Sequence, residues 1–112
     1  MSEAAIIKAS EDRRTGRRYA LSLPLTFKGF RRRMLILCGT GNLLDISSRG
    51  AAFTNEYSLA LGTSVELSIT WPALLRGVTH MKLVISGTVV RSCGEVTALE
   101  IAWHEFRTQK RQ

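Results

Sequence analysis

No apolar run in this sequence of 112 residues approaches the roughly 18 residues that a membrane-crossing helix needs. A helical membrane span is thereby excluded, and a soluble protein of the cytoplasm is the expectation. The opening residues, "MSEAAIIKAS", hold neither a basic leader nor a long apolar stretch, so they do not read as a secretory signal. Cysteine is scarce: Cys38 and Cys93 are the only two, with no CxxC spacing. That spacing argues against a zinc site or a disulfide framework and for two small, buried apolar thiols. A convincing helical stripe of ten or more residues is missing too. His80 and His104 have no partners at metal-ligand spacing. No Ser/His/Asp or Cys/His set stands out, and nothing resembles a phosphate loop. Catalysis, a bound metal and a cofactor are therefore not expected.

What the chain does have is charge of one sign at one end. Residues 1–33 carry nine Lys/Arg against three acids, whereas the remaining 79 carry seven against six. Nearly all of the net +7 thus sits in the first third. A field concentrated in this way favours an anionic partner: nucleic acid, a membrane surface or a phosphorylated ligand. Hydrophobic residues at 45% and charged residues at 22% are the proportions of a folded domain, and the length suits one.

From residue 20 onward the apolar pattern has period two, the signature of β-structure. In "LSLPLTF" the residues Leu21, Leu23, Leu25 and Phe27 share one face. In "SVELSITW" Val65, Leu67, Ile69 and Trp71 stand opposite Ser64, Glu66, Ser68 and Thr70. "KLVISGTVVRS" and "EVTALEIAWHEF" read as two further strands joined by a tight turn near "CGE", with Gly87 marking a bend or a close backbone approach. Trp71 and Trp103 fit apolar strand faces and are expected in the core. "WPALLRGVTH" has room for one helical turn, and "HEFRTQKRQ" for a short C-terminal helix at most. About six short strands in so small a chain predict an all-β protein, a closed barrel or a sandwich. "RRR" at 31–33 is expected in an exposed loop between strands, with a second anion site as its alternative reading.

Two short stretches carry the chemistry. "RRTGRR", residues 13–18, has four arginines and no acid. Taken alone it is an ordinary solvated basic segment. "NLLDISSRG", residues 42–50, read as a strand, puts Leu44 and Ile46 on one face and Asp45 and Ser47 on the other. Gly50 follows at the start of "GAAFTN", where a side chain would obstruct anything lying close to the backbone. Taken alone, Asp and Ser before Gly are also common in turns that bond their own backbone.

In this order and at this interval the two stretches resemble the PilZ family, bacterial domains that bind the second messenger cyclic di-GMP. The family pairs RxxxR with [D/N]xSxxG on a six-stranded antiparallel β-barrel. Here RxxxR maps to Arg14 and Arg18, and [D/N]xSxxG to Asp45, Ser47 and Gly50. Arg13 with Arg17 also satisfies the first spacing. "LSLPL", "SGTVVRS" and "TALEIAW" look like further strands of the family, so the likeness covers roughly residues 11–106. The helix that often follows the family's barrel has almost no sequence here.

The resemblance implies a barrel domain over 13–106 that includes the arginine segment, with a flexible tail at 1–12 and another at 107–112. It implies a receptor without activity of its own, which clamps cyclic di-GMP and passes the signal to a protein partner that the sequence does not name. Expected ligand contacts are Arg13, Arg14, Arg18, Asp45, Ser47 and Gly50, with Arg17 and Arg91 as secondary candidates. Arg91 shares a strand face with Leu83, Ile85 and Val89, so its head is expected to emerge at the strand end. There it either adds a ligand contact or rests as a surface arginine with a buried stem. A nucleic-acid-binding barrel is the first alternative, disfavoured because no run of exposed aromatics interleaves the basic residues. The second is a PilZ-like adaptor of pilus or flagellar machinery that binds no nucleotide; such adaptors tend to lack the arginine motif.

Overall fold

A computed structural model describes residues 19–109, with side chains from Ser22 onward. Six strands account for most of it: β1 (Tyr19–Arg31), β2 (Met34–Ile46), β3 (Gly50–Thr54), β4 (Ser64–Leu75), β5 (Thr79–Cys93) and β6 (Val96–Thr108). All pairings are antiparallel, and the ring closes in the order β1-β2-β3-β6-β5-β4. This is the expected all-β, six-stranded barrel. There is no helix among the described residues, and none long and apolar enough to cross a membrane.

The alternation seen in the sequence decides what fills the ring. Val65, Leu67, Ile69 and Trp71 of β4 point inward and are buried, as are Leu25 and Phe27 of β1. Phe27 tilts against Phe53 of β3 with ring centroids 5.5 Å apart, and Trp71 meets Phe106 edge-on at 5.2 Å. A six-stranded barrel is narrow enough for side chains alone to fill it. Each fully buried Leu, Ile or Phe contributes on the order of 1.5–3 kcal/mol. Residues 55–63 then cross from β3 to β4 on the opposite side of the ring, and Leu59 is buried beneath them. Asn55 anchors this crossing: its amide donates to the Thr97 hydroxyl at 3.0 Å and its side-chain oxygen accepts from the Tyr57 amide at 2.8 Å.

Several expectations are corrected. "WPALLRGVTH" is a strand–turn–strand rather than a helical turn, because β4 runs on to Leu75, which pairs with Thr79 of β5. The C-terminal stretch continues as strand to Thr108, held by β5 through the pairs Leu83 with Phe106 and Met81 with Thr108. Trp103 is 43% exposed rather than in the core. The register steps from Gly87 opposite Ile101 to Ser86 opposite Trp103, so Ala102 is an extra residue that turns Trp103 outward. Gly87 is the close approach the sequence suggested: a Cβ there would lie 2.4 Å from the Glu100 carbonyl oxygen. Both cysteines are exposed and free, not buried.

β3 spans only five residues, so it reaches β2 from Asn42 to Ile46 and no further. Residues 34–41 therefore have β1 on one side and no strand on the other, while β1 itself stays paired with β4 as far as Phe30. The tip of the β1–β2 hairpin is a two-residue turn, since Arg31 pairs with Met34. Arg32 and Arg33 both take left-handed backbone angles, φ 53° and 68°. Asn-Gly is the usual choice there, because a Cβ in that conformation crowds the following carbonyl. Arg32→Asn/Arg33→Gly should therefore stabilise the fold by on the order of 1 kcal/mol. A scanning calorimeter should record a Tm higher by about 4–8 °C; an unchanged or lowered Tm would show the turn to be unstrained.

Candidate ligand-binding site

The DxSxxG motif lies where β2 ends and the chain turns into β3. β2 does not keep strict alternation there. Leu43 faces Phe53, but the next pair is Asp45 with Ala52, so Leu44 is a bulge and two residues of β2 oppose one of β3. The core positions are Leu43 and Ile46, each at most 2% exposed. Leu44, expected on the core face with Ile46, is only half-buried. The bulge rephases the strand so that Asp45 lies on the outer face, in one row with Ala52 of β3 and Ala98 of β6. Bulges commonly re-aim a side chain in this way beside a functional site. In that row Ala52 is buried and Ala98 half-buried.

Ser47 then shapes the turn. Its amide donates to the Gly50 carbonyl at 2.8 Å. Its hydroxyl oxygen lies 3.2 Å from the Gly50 amide and 3.4 Å from the Arg49 amide, accepting from both, and 3.4 Å from the Gly50 carbonyl, to which it donates. One donor and two acceptor positions are all that a hydroxyl has. The long distances mark weak bonds that a ligand oxygen could replace. The turn is tied to β6 by the Ile101 amide, which donates to the Arg49 carbonyl at 2.8 Å. Gly50 pairs with Glu100, and a Cβ on it would meet the Leu99 carbonyl oxygen at 3.1 Å.

The chain enters the barrel at this same corner. Tyr19 pairs with Ile46 and Ala20 with Asp45. Arg13, Arg14, Arg17 and Arg18 precede Tyr19 in the chain and lie outside the described residues. Arg91 is exposed and sits in the outer-face row, opposite Ala98. The expectation that it continues the core face of Leu83, Ile85 and Val89 is corrected by a second bulge. Val89 pairs with Leu99 and Arg91 with Ala98, leaving Val90 unpaired and reversing the phase. Three strand spacings separate Arg91 from Asp45, roughly 14 Å.

Two residues at this corner escaped the sequence reading. Arg49 is exposed in the turn itself, four residues after Asp45; its place between Ser47 and Gly50 was the available signal. Trp103 stands on the outer face of β6, two residues beyond Ile101 and its bond to Arg49. Nothing local marks it, because its exposure depends on the extra residue at Ala102. A separate recess of about 260 Å³ lies across β1, β4 and β5 on the other side of the ring, lined by Thr26, Lys28, Glu66, Ser68, Lys82 and Arg107 among others. Its charges are largely balanced: Lys28 stands opposite Glu66 in the β1–β4 register, and Arg107 pairs with Glu105.

A closed six-stranded antiparallel barrel, with an Asp-x-Ser-x-x-Gly turn at the corner where the chain enters, defines a small β-barrel domain. The chain belongs to the PilZ domain family, whose match extends over residues 12–111 and so takes in both the arginine segment and the turn. No curated protein and no solved structure matches it.

Proposed function

We propose that the protein is a cyclic di-GMP receptor that holds its ligand between the arginine segment and the 45–50 turn. One observation carries this reading: Tyr19 and Ala20 pair with Ile46 and Asp45, so "RRTGRR" is tethered beside "DISSRG". Cyclic di-GMP offers two phosphates and two guanines, and arginine suits both. The guanidinium fork pairs bidentately with phosphate oxygens or with guanine O6 and N7, and its plane stacks on a purine. In this reading Arg14 and Arg18 form the clamp, with Arg13 and Arg17 as neighbouring donors. Asp45 accepts from the guanine N1 and N2 hydrogens, which adenine cannot supply in the same arrangement. Ser47 turns its hydroxyl from the turn to the ligand, and Gly50, Ala52 and Ala98 keep the floor low. Trp103 and Arg49 flank that floor as a stacking face and an added cation. Binding there changes the surface that a partner protein meets.

Calorimetric titration tests the assignment. Cyclic di-GMP should bind in preference to cyclic di-AMP and GTP, with a stoichiometry that tells one bound molecule from a stacked pair. A good donor pair lost at a buried acceptor is worth about 1–3 kcal/mol, so the adenine analogue should bind about tenfold more weakly or worse. Equal affinities would remove Asp45 from the site.

A further inference from the structure

The β1–β2 hairpin carries three consecutive arginines, Arg31, Arg32 and Arg33, followed by Met34, Leu35 and Ile36, which are 70%, 54% and 46% exposed. No acid occurs between Asp12 and Asp45. Arg31 pairs with Met34 and Phe30 with Leu35, so Met34 and Leu35 point to opposite faces of the hairpin, and Ile36 is an extra residue before Leu37, which pairs with Gly29. A protein groove would cover one face. A medium that surrounds the tip is needed to cover both. The backbone adds an independent observation: Arg32 and Arg33 hold charge at left-handed positions where smaller residues would be relaxed, and such strain is a recognised mark of functional segments. Leu61 and Val90, 68% and 50% exposed, belong to the same end of the barrel, where Gly62 bonds Val89.

We propose that this hairpin docks on the surface of an anionic lipid bilayer, its arginines on the phosphate headgroups and Met34, Leu35 and Ile36 at the acyl boundary. Cations beside apolar residues are the combination that binds such interfaces. Around the ring the tip and the 45–50 turn are joined by the pairs Phe30 with Ser64, Ser64 with Thr88, Thr88 with Glu100 and Glu100 with Gly50, four strand spacings or roughly 19 Å.

Vesicle flotation tests the proposal with the full chain. The probes are phosphatidylcholine vesicles alone and the same vesicles with about a third phosphatidylglycerol, at low and high salt. The protein should float with the anionic vesicles only, and less at high salt. Arg32→Asn/Arg33→Gly suits the turn while removing two charges, and at roughly fivefold per arginine it should lower partitioning about 25-fold. Met34→Ser/Ile36→Ser keeps every charge and alters exposed positions; it should lower partitioning about tenfold or more through lost apolar contact. Arg14→Gln/Arg18→Gln removes the same number of charges elsewhere in the chain and should float within about threefold of the unaltered protein. The proposal is overturned if the protein stays unbound, or if the serine variant floats normally, which would leave simple charge adsorption. It is overturned equally if the Arg14/Arg18 variant loses as much as the hairpin variants. Sedimentation that shows the hairpin pairing with a second copy, without flotation, would assign the surface to self-association instead.

Discussion

Arg18→Ala should weaken cyclic di-GMP binding from roughly 30-fold to a few thousandfold, while the melting temperature without ligand hardly moves. Removing one partner of a buried, hydrogen-bonded charge pair costs on the order of 2–5 kcal/mol, and each 1.4 kcal/mol is a factor of ten. The more discriminating change is Arg14→Lys or Arg18→Lys. Lysine keeps the positive charge but has neither the planar fork nor the stacking surface, so most of the affinity should still go. Arg32→Lys, in the β1–β2 turn, serves as the control and should bind the ligand as the parent does. If instead the arginines act only as a pool of charge, all three lysine variants bind normally. That result in a titration would reduce "RRTGRR" to a solvated basic segment and withdraw the clamp.

Gly41→Ala should destabilise the barrel by about 3 kcal/mol or more, the upper range for forcing atoms into a packed interior. A Cβ on Gly41 would stand 1.8 Å from the carbonyl oxygen of Thr54 and 3.0 Å from its carbonyl carbon. Both atoms are backbone, so no rotamer change relieves the clash. The next residue, Asn42, pairs with Thr54, and its amide also reaches the Thr54 hydroxyl at 3.2 Å. Relief thus requires β3 to move, and β3 carries Phe53, which is fully buried. Its other end leads into the 45–50 turn, so ligand affinity should fall together with stability. In thermal melts the Tm should drop by at least about 12 °C. Gly29→Ala is the comparison: its new Cβ would meet nothing closer than 3.7 Å and should leave the Tm within a few degrees. Equal melting of the two variants would mean that β2 and β3 separate at Gly41 without cost.

By itself the sequence determined the inward faces of β1 and β4, the turn between β5 and β6, and the exposed loop at 31–33. Along Leu25–Phe27 of β1 and Val65–Trp71 of β4 the period-two pattern is unbroken, Gly94 marks the β5–β6 turn and three successive charges mark the exposed loop, all local properties that a short window contains. It also determined the order and interval of the two motifs. Only the tertiary structure decided that the corner bearing Asp45 and Ser47 is where the chain enters, because that depends on the pairing of Ala20 with Asp45, far apart in sequence. The same holds for the faces of Leu44, Arg91 and Trp103. Extra residues at Leu44, Val90 and Ala102 each shift the strand phase by one and send the next side chains to the opposite side. Where such a residue falls is set by the register that lets six strands close into one ring, and register is a property of pairs of strands. The exposure of Cys38 and of the apolar hairpin has the same origin. Cys38, like Met34 and Ile36, sits on the half of β2 that β3 is too short to reach, and the length of a neighbouring strand cannot be read from the residues it fails to cover.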